Sequence, residues 1–168
     1  VTDADVEYLA NDGRFVYYTS AEISPVENHL FKIEVKMSRS RIPADIVTKA
    51  KFGKPIRLTT EEGWHTISLN EDCSKYIDNY SSFNVPRVTN IKLIRNLITA
   101  EDPLKAYKTG EVLFGTVKSA DGKYDNWYRL FLPTDFDPAK KYPVVLYVYG
   151  GPHSQMVQNT WLGQVRMW

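Results

Sequence analysis

The run KYPVVLYVYGGP, Lys141 to Pro152, decides how this chain divides. Its centre, Val144–Tyr149, is nearly continuous in apolar residues rather than alternating. That pattern predicts a strand buried on both faces, as in an α/β sheet. Gly150-Gly151-Pro152 ends it sharply. A glycine pair lets the backbone turn tightly and approach a ligand closely. In open α/β sheets, sites form beyond the carboxyl ends of the strands. Tyr149 is the last side chain before that turn, and its phenol is a donor of the kind that stabilises a developing oxyanion. A core tyrosine with its hydroxyl on a backbone partner fits the same pattern.

Downstream, Val157, Trp161, Val165 and Trp168 are spaced four, four and three, which predicts one face of a helix, with Gly163 as its weak point. Upstream, Val112–Lys118 and Trp127–Phe131 flank the turn Ala120-Asp121-Gly122-Lys123 and read as a hairpin. Thr99–Lys105 reads as a short capped helix or linker.

Before residue 100 the pattern is strand-like: Val6–Leu9, Phe15–Thr19, His29–Val35, Trp64–Leu69, Tyr76–Tyr80 and Arg87–Leu93. Asp12-Gly13-Arg14-Phe15-Val16-Tyr17 aligns with Asp72-Cys73-Ser74-Lys75-Tyr76-Ile77, each a turn leading into a tyrosine-bearing strand. The period near 60 residues is long for a propeller blade. The polar, basic insert Met37–Lys54, punctuated by Pro43 and Gly53, accounts for the excess and reads as a surface loop. Repeated four-stranded units fit blades stacked radially, and a plain antiparallel sheet fits equally well.

A net charge of +1 over 168 residues gives no reason to expect nucleic acid or an acidic membrane surface as partner. No apolar run approaches the ~20 residues that span a bilayer. Cys73 is the only cysteine, so no intrachain disulfide forms, and it reads as a partly buried bystander. His29, His65 and His153 show no metal-ligand spacing with it.

YPVVLYVYGGPHSQMV resembles the start of the catalytic domain in the prolyl oligopeptidase superfamily of serine peptidases. YYTSAEISPVENHLFKIEV resembles a propeller strand pair of its dipeptidyl peptidase IV branch, through Ser20-Ala21-Glu22-Ile23-Ser24-Pro25 and His29-Leu30-Phe31. Gly63-Trp64-His65, the turn at Asp72, Tyr80-Ser81-Ser82 and Pro86 resemble that branch too. Asp72-Cys73 stands where the branch has Asp-Gly.

The resemblance implies a mainly β chain: the last blades of a β-propeller over residues 1–98, a crossover over 99–111, and the first strands of an α/β-hydrolase domain over 112–168. It implies an enzyme that releases N-terminal Xaa-Pro dipeptides by acyl-enzyme chemistry, with a peptide as substrate and no metal or organic cofactor. A periplasmic or extracellular location and a homodimer are in keeping with it. The role of oxyanion-hole donor carries over to Tyr149.

The branch nucleophile sits in a Gly-x-Ser-x-Gly elbow, with the triad aspartate and histidine after it. No such motif occurs in these 168 residues. Ser154 lacks the flanking glycines, and His153 reads as a variable loop position. His29 and His65 read as structural, and Glu61-Glu62 as a solvated turn rather than an amine anchor. The expectation is therefore an internal piece, inactive alone and prone to self-association. A related tripeptidyl or acylaminoacyl peptidase, or a non-catalytic β-rich binding module, are the alternatives.

Overall fold

Tyr17 and Tyr18 show why the first third folds as it does. Neighbours in a strand point to opposite faces, and these two serve two different cores. Tyr17 joins Leu30 and Cys73, whereas Tyr18 joins Phe31 and Ile33 and stacks on Phe31 at 5.5 Å between centroids. The computed structural model describes residues 3–42, 45–92, 95–151 and 154–162, and every regular element among them is a strand.

The first sheet contains β1 (Val6–Asn11), β2 (Phe15–Ser20), β3 (His29–Ile42), β4 (Asp45–Phe52) and β5 (Ile56–Arg57), all antiparallel. β3 has two partners on its open side. Its first half pairs with β5, through Phe31↔Arg57 and Lys32↔Ile56. Its second half runs on as a ribbon with β4, from Val35↔Phe52 to Ile42↔Asp45. The four-stranded blade is thus β1-β2-β3-β5, and the ribbon is inserted before the blade's last strand. The loop expected over Met37–Lys54 is in fact this hairpin. Lys36–Ser38 of β3 and Lys49–Phe52 of β4 are exposed, so this part of the backbone ladder forms with little burial to announce it; Pro43 lies outside the described residues.

The second blade is β6 (Trp64–Leu69), β7 (Tyr76–Ser82), β8 (Val85–Lys92) and β9 (Arg95–Thr99), an antiparallel meander. The repeat places the same turn after the first strand of each blade. Arg14 N–H donates to Asp12 Oδ1 at 2.9 Å, and Ser74 N–H donates to Asp72 Oδ1 at 2.9 Å. The residue between is left-handed in both, Gly13 at φ 85° and Cys73 at φ 56°. Glycine takes that conformation freely; cysteine takes it at a cost of about 1–2 kcal/mol. Cys73 offsets some of it by packing into the core between the blades, beside Ile67, Leu69 and Tyr76.

β10 (Val112–Lys118) and β11 (Asp125–Phe131) form the expected hairpin. Phe114 of β10 meets Phe83 of the β7–β8 turn edge-on at 5.6 Å, which rests the hairpin on the second blade. Of the two readings of Thr99–Lys105, the structure shows no helix: Asp102 Oδ1 accepts from Leu104 N–H at 2.8 Å, and the chain turns. Val144–Tyr149 is not a buried strand either. It belongs to no regular element and pairs with no strand among the described residues, and Val145 is 94% exposed. Apolar residues make a strand only where other strands offer backbone partners, and among the described residues none flanks this run. The helix expected from Val157 is absent through residue 162; Gly163, Val165 and Trp168 lie outside the described residues.

Candidate functional site

The two blades meet over polar groups. Asn28 and Trp64 form a parallel bridge, and Asn28 Nδ2 donates to the His65 carbonyl at 2.8 Å. Behind them, the rings of His29 and His65 lie 5.0 Å apart, and both side chains are fully buried. Their networks differ. Thr59 Oγ1 accepts from Leu30 N–H at 3.0 Å, so its own hydroxyl hydrogen is free for His29 Nδ1 at 3.1 Å. His29 Nε2 then donates to Glu27 Oε2 at 2.8 Å. This is the neutral ring with its hydrogen on Nε2. Burial, and then the neighbouring Arg57 and His65, work to hold the His29 pKa below its usual 6.5 despite the pull of Glu27.

His65 is flanked by acceptors: Asp78 Oδ1 lies 2.8 Å from Nδ1, and the Glu61 carbonyl 2.9 Å from Nε2. The other Asp78 oxygen has no hydrogen-bond partner and faces Lys92 Nζ at 3.9 Å. Lys92 also pairs with Glu61 Oε1 at 2.7 Å. Burial works to raise the Glu61 pKa, but Lys92 and backbone donors outweigh it and bring the carboxyl down to about 2. All these donors and acceptors are internal, so His29 and His65 are structural, as their strand positions suggest. Glu61 and Glu62 are more than a solvated turn: Glu61 closes this network, and Glu62 Oε1 accepts from Asn159 Nδ2 at 3.1 Å.

Tyr149 stands on the other side of the Pro25–Val26 loop. A cavity of about 460 Å³ beside it is lined by Pro25, Val26, Trp127, Gln155 and Val157 among others. The Tyr149 ring lies over Gly151, where an added Cβ would meet it at 2.9 Å. The ring is half exposed, and among the described residues its hydroxyl has no hydrogen-bond partner. Among the described residues, the Ser154 hydroxyl reaches Met156 Sδ at 3.6 Å and no basic side chain. His153 and Pro152 lie outside the described residues. Among the described residues, no three His, Cys, Asp or Glu side chains converge as a metal site, and no helix is long and apolar enough to cross a membrane.

Residues 2–87, which hold the first blade and most of the second, match the family described as the dipeptidyl peptidase IV N-terminal region. The chain belongs to the dipeptidyl peptidase IV family. Its two meanders are blades of the β-propeller of that family. Relatives include dipeptidyl peptidase 8 of Mus musculus, 26% identical over 187 aligned residues that cover 97% of this chain and 19% of that protein. Dipeptidyl peptidase 4 of Trichophyton rubrum is 28% identical over 157, covering 88% and 18%. The crystal structure of Porphyromonas gingivalis dipeptidyl peptidase 4 superposes with a TM-score of 0.76 at 27% identity, covering 96% of this chain and 22% of that one. The chain therefore spans about a fifth of the length of these family members.

Sequence reasoning missed Asn159. It is buried, and all four of its polar groups are engaged. The signal available was weak: Val157, Asn159 and Trp161 are spaced by two as well as by four, so they suit an extended segment as well as a helix.

Proposed function

We propose that this chain is the passage from propeller to hydrolase domain in a serine exopeptidase that releases dipeptides from free N-termini. In this reading residues 1–98 are propeller, 99–111 crossover, and 112–168 the opening of the hydrolase domain. The observation that carries it is the free, half-exposed hydroxyl of Tyr149 after an unpaired apolar run, in a chain of this family. The substrate is a peptide.

The chemistry assigned to Tyr149 is narrow. A serine attacks the scissile carbonyl, negative charge gathers on its oxygen, and the phenol donates a hydrogen bond to that oxygen. The bond strengthens as charge develops, so it lowers the barrier more than it tightens substrate binding. The 168 residues contain no Gly-x-Ser-x-Gly, so a nucleophile of that type comes from sequence beyond them.

The test is Tyr149→Phe in the longer peptidase, assayed on a Gly-Pro anilide. Turnover is expected to fall roughly 10²–10³-fold with KM little changed, the loss typical of one oxyanion-hole donor. Unaltered turnover removes the role from Tyr149. Faster cleavage of tripeptide or acylated anilides than of Gly-Pro anilide removes the dipeptidyl specificity.

A further inference from the structure

Asn159 bonds to a different part of the propeller with each of its polar groups. Its N–H donates to the Val26 carbonyl at 2.6 Å, and its carbonyl accepts from Trp64 N–H at 3.1 Å. Its Oδ1 accepts from Phe83 N–H at 2.9 Å, and its Nδ2 donates to Glu62 Oε1 at 3.1 Å. The partners are a loop of the first blade, the first strand of the second blade, that blade's β7–β8 turn, and the segment entering β6. The residue is only 3% exposed, and a buried amide satisfied on every side defines one geometry rather than a range.

Tyr149 needs such a definition. Val144–Tyr149 has no strand beside it among the described residues, so no ladder fixes the height or direction of the phenol. Its fixed points come after it. Gln155 Nε2 donates to the Pro25 carbonyl, and Asn159 holds the next residue of the same loop, Val26. Pro25 and Val26 also form part of the wall of the cavity beside Tyr149. A shift of the clamp therefore moves that wall relative to the phenol.

From this we infer that Asn159 is a positioning residue for Tyr149: it locks the stretch around Gln155 and Asn159 across the junction of the two blades, holds Val26 in the wall beside the phenol, and so sets where the donor stands. The inference rests on the oxyanion role proposed for Tyr149.

The test uses the longer peptidase and steady-state kinetics on a Gly-Pro anilide. Asn159→Asp keeps an acceptor for Phe83 N–H but sets a carboxylate against Glu62. It is expected to lower kcat roughly 10–100-fold, the range a displaced catalytic group produces, with KM within about twofold. Adding Glu62→Gln supplies an amide that donates back to the new carboxylate, and most of the kcat loss is expected to be recovered. In the Tyr149→Phe background, Asn159→Asp is expected to cost less than about threefold, because the donor it positions is already gone.

Glu62→Ala, which removes one of the four bonds, is expected to show the same kcat-only pattern on a smaller scale, and it carries the test if Asn159→Asp does not fold. An equal loss in both backgrounds, or a loss confined to KM, overturns the inference. So does a double substitution that regains the thermal midpoint but not kcat. Tyr149→Phe with full turnover sinks the underlying role of Tyr149 instead, whatever Asn159 does.

Discussion

The blade junction and the run Val144–Tyr149 invert the usual relation between polarity and burial. At the junction two histidines, an aspartate and a threonine are wholly buried. In the run, five consecutive aliphatic and aromatic residues, Val144–Val148, stand in the open, Val145 most of all. What separates them is partnership. Each buried ring nitrogen at the junction finds its counterpart within hydrogen-bond distance, so desolvation is offset. The apolar run has nothing to offset the cost of its unpaired backbone in a dry interior, so it stays wet. Hydrophobicity alone did not decide which segment is core.

That contrast can be broken first at Asp78. Asp78→Ala leaves His65 Nδ1 buried without its hydrogen-bond partner, and the expected loss is about 1–3 kcal/mol, the range for a buried polar group left unsatisfied. Urea unfolding followed by tryptophan fluorescence measures it. A loss below about 1 kcal/mol would mean that the junction is held by packing and not by its polar network.

Acid should act on the junction in two steps, and in the same direction. The folded His29 pKa lies below 6.5, so the unfolded chain binds the extra proton first and stability falls as the pH drops below 6.5. Glu61 titrates at about 2 in the folded chain against 4.5 when free, so its contribution is intact above 4.5 and is lost as the pH falls from there toward 2. Denaturation midpoints collected from pH 7 to pH 2 check this. In Glu61→Gln the lower step should shrink while the upper one stays, since Asp12, Glu34, Asp72 and Asp121 are also held below their usual values; a lower step of unchanged size assigns it to those carboxylates.

The smallest effect is expected in the apolar run. Val145→Lys should change the unfolding free energy by no more than about 0.5 kcal/mol, as for an ordinary surface site, while reducing self-association of the isolated chain in light scattering. A large destabilisation would show that the run packs somewhere after all.

The sequence made the two blades legible because their strands alternate against shared cores: Tyr17 and Leu30 on one side, Tyr18 and Phe31 on the other. The repeated Asp-x turn was legible because its geometry depends on an aspartate, present in both copies, even where Cys73 replaces glycine. The β3–β4 ribbon was not legible, since its register is carried by the backbone and the stretch Met37–Lys54 is polar and basic in sequence. The polar junction was hidden for a different reason: His29 and His65 lie 36 positions apart, and only the packing of blade on blade makes them neighbours. Asn159 was hidden because its partners come from three separate stretches of the chain, at Val26, at Glu62 and Trp64, and at Phe83.

The ribbon has a mechanical consequence. Eight residue pairs, seven steps at ~3.3 Å per residue, carry it about 23 Å beyond the blade. Because β5, not β4, completes the blade, the ribbon is a lever whose pivot lies at Val35 and Phe52. A force or a bulky label applied to the ribbon turns about that pivot and reaches the blade at two points, through the continuous strand β3 and through the chain that runs from Phe52 into β5.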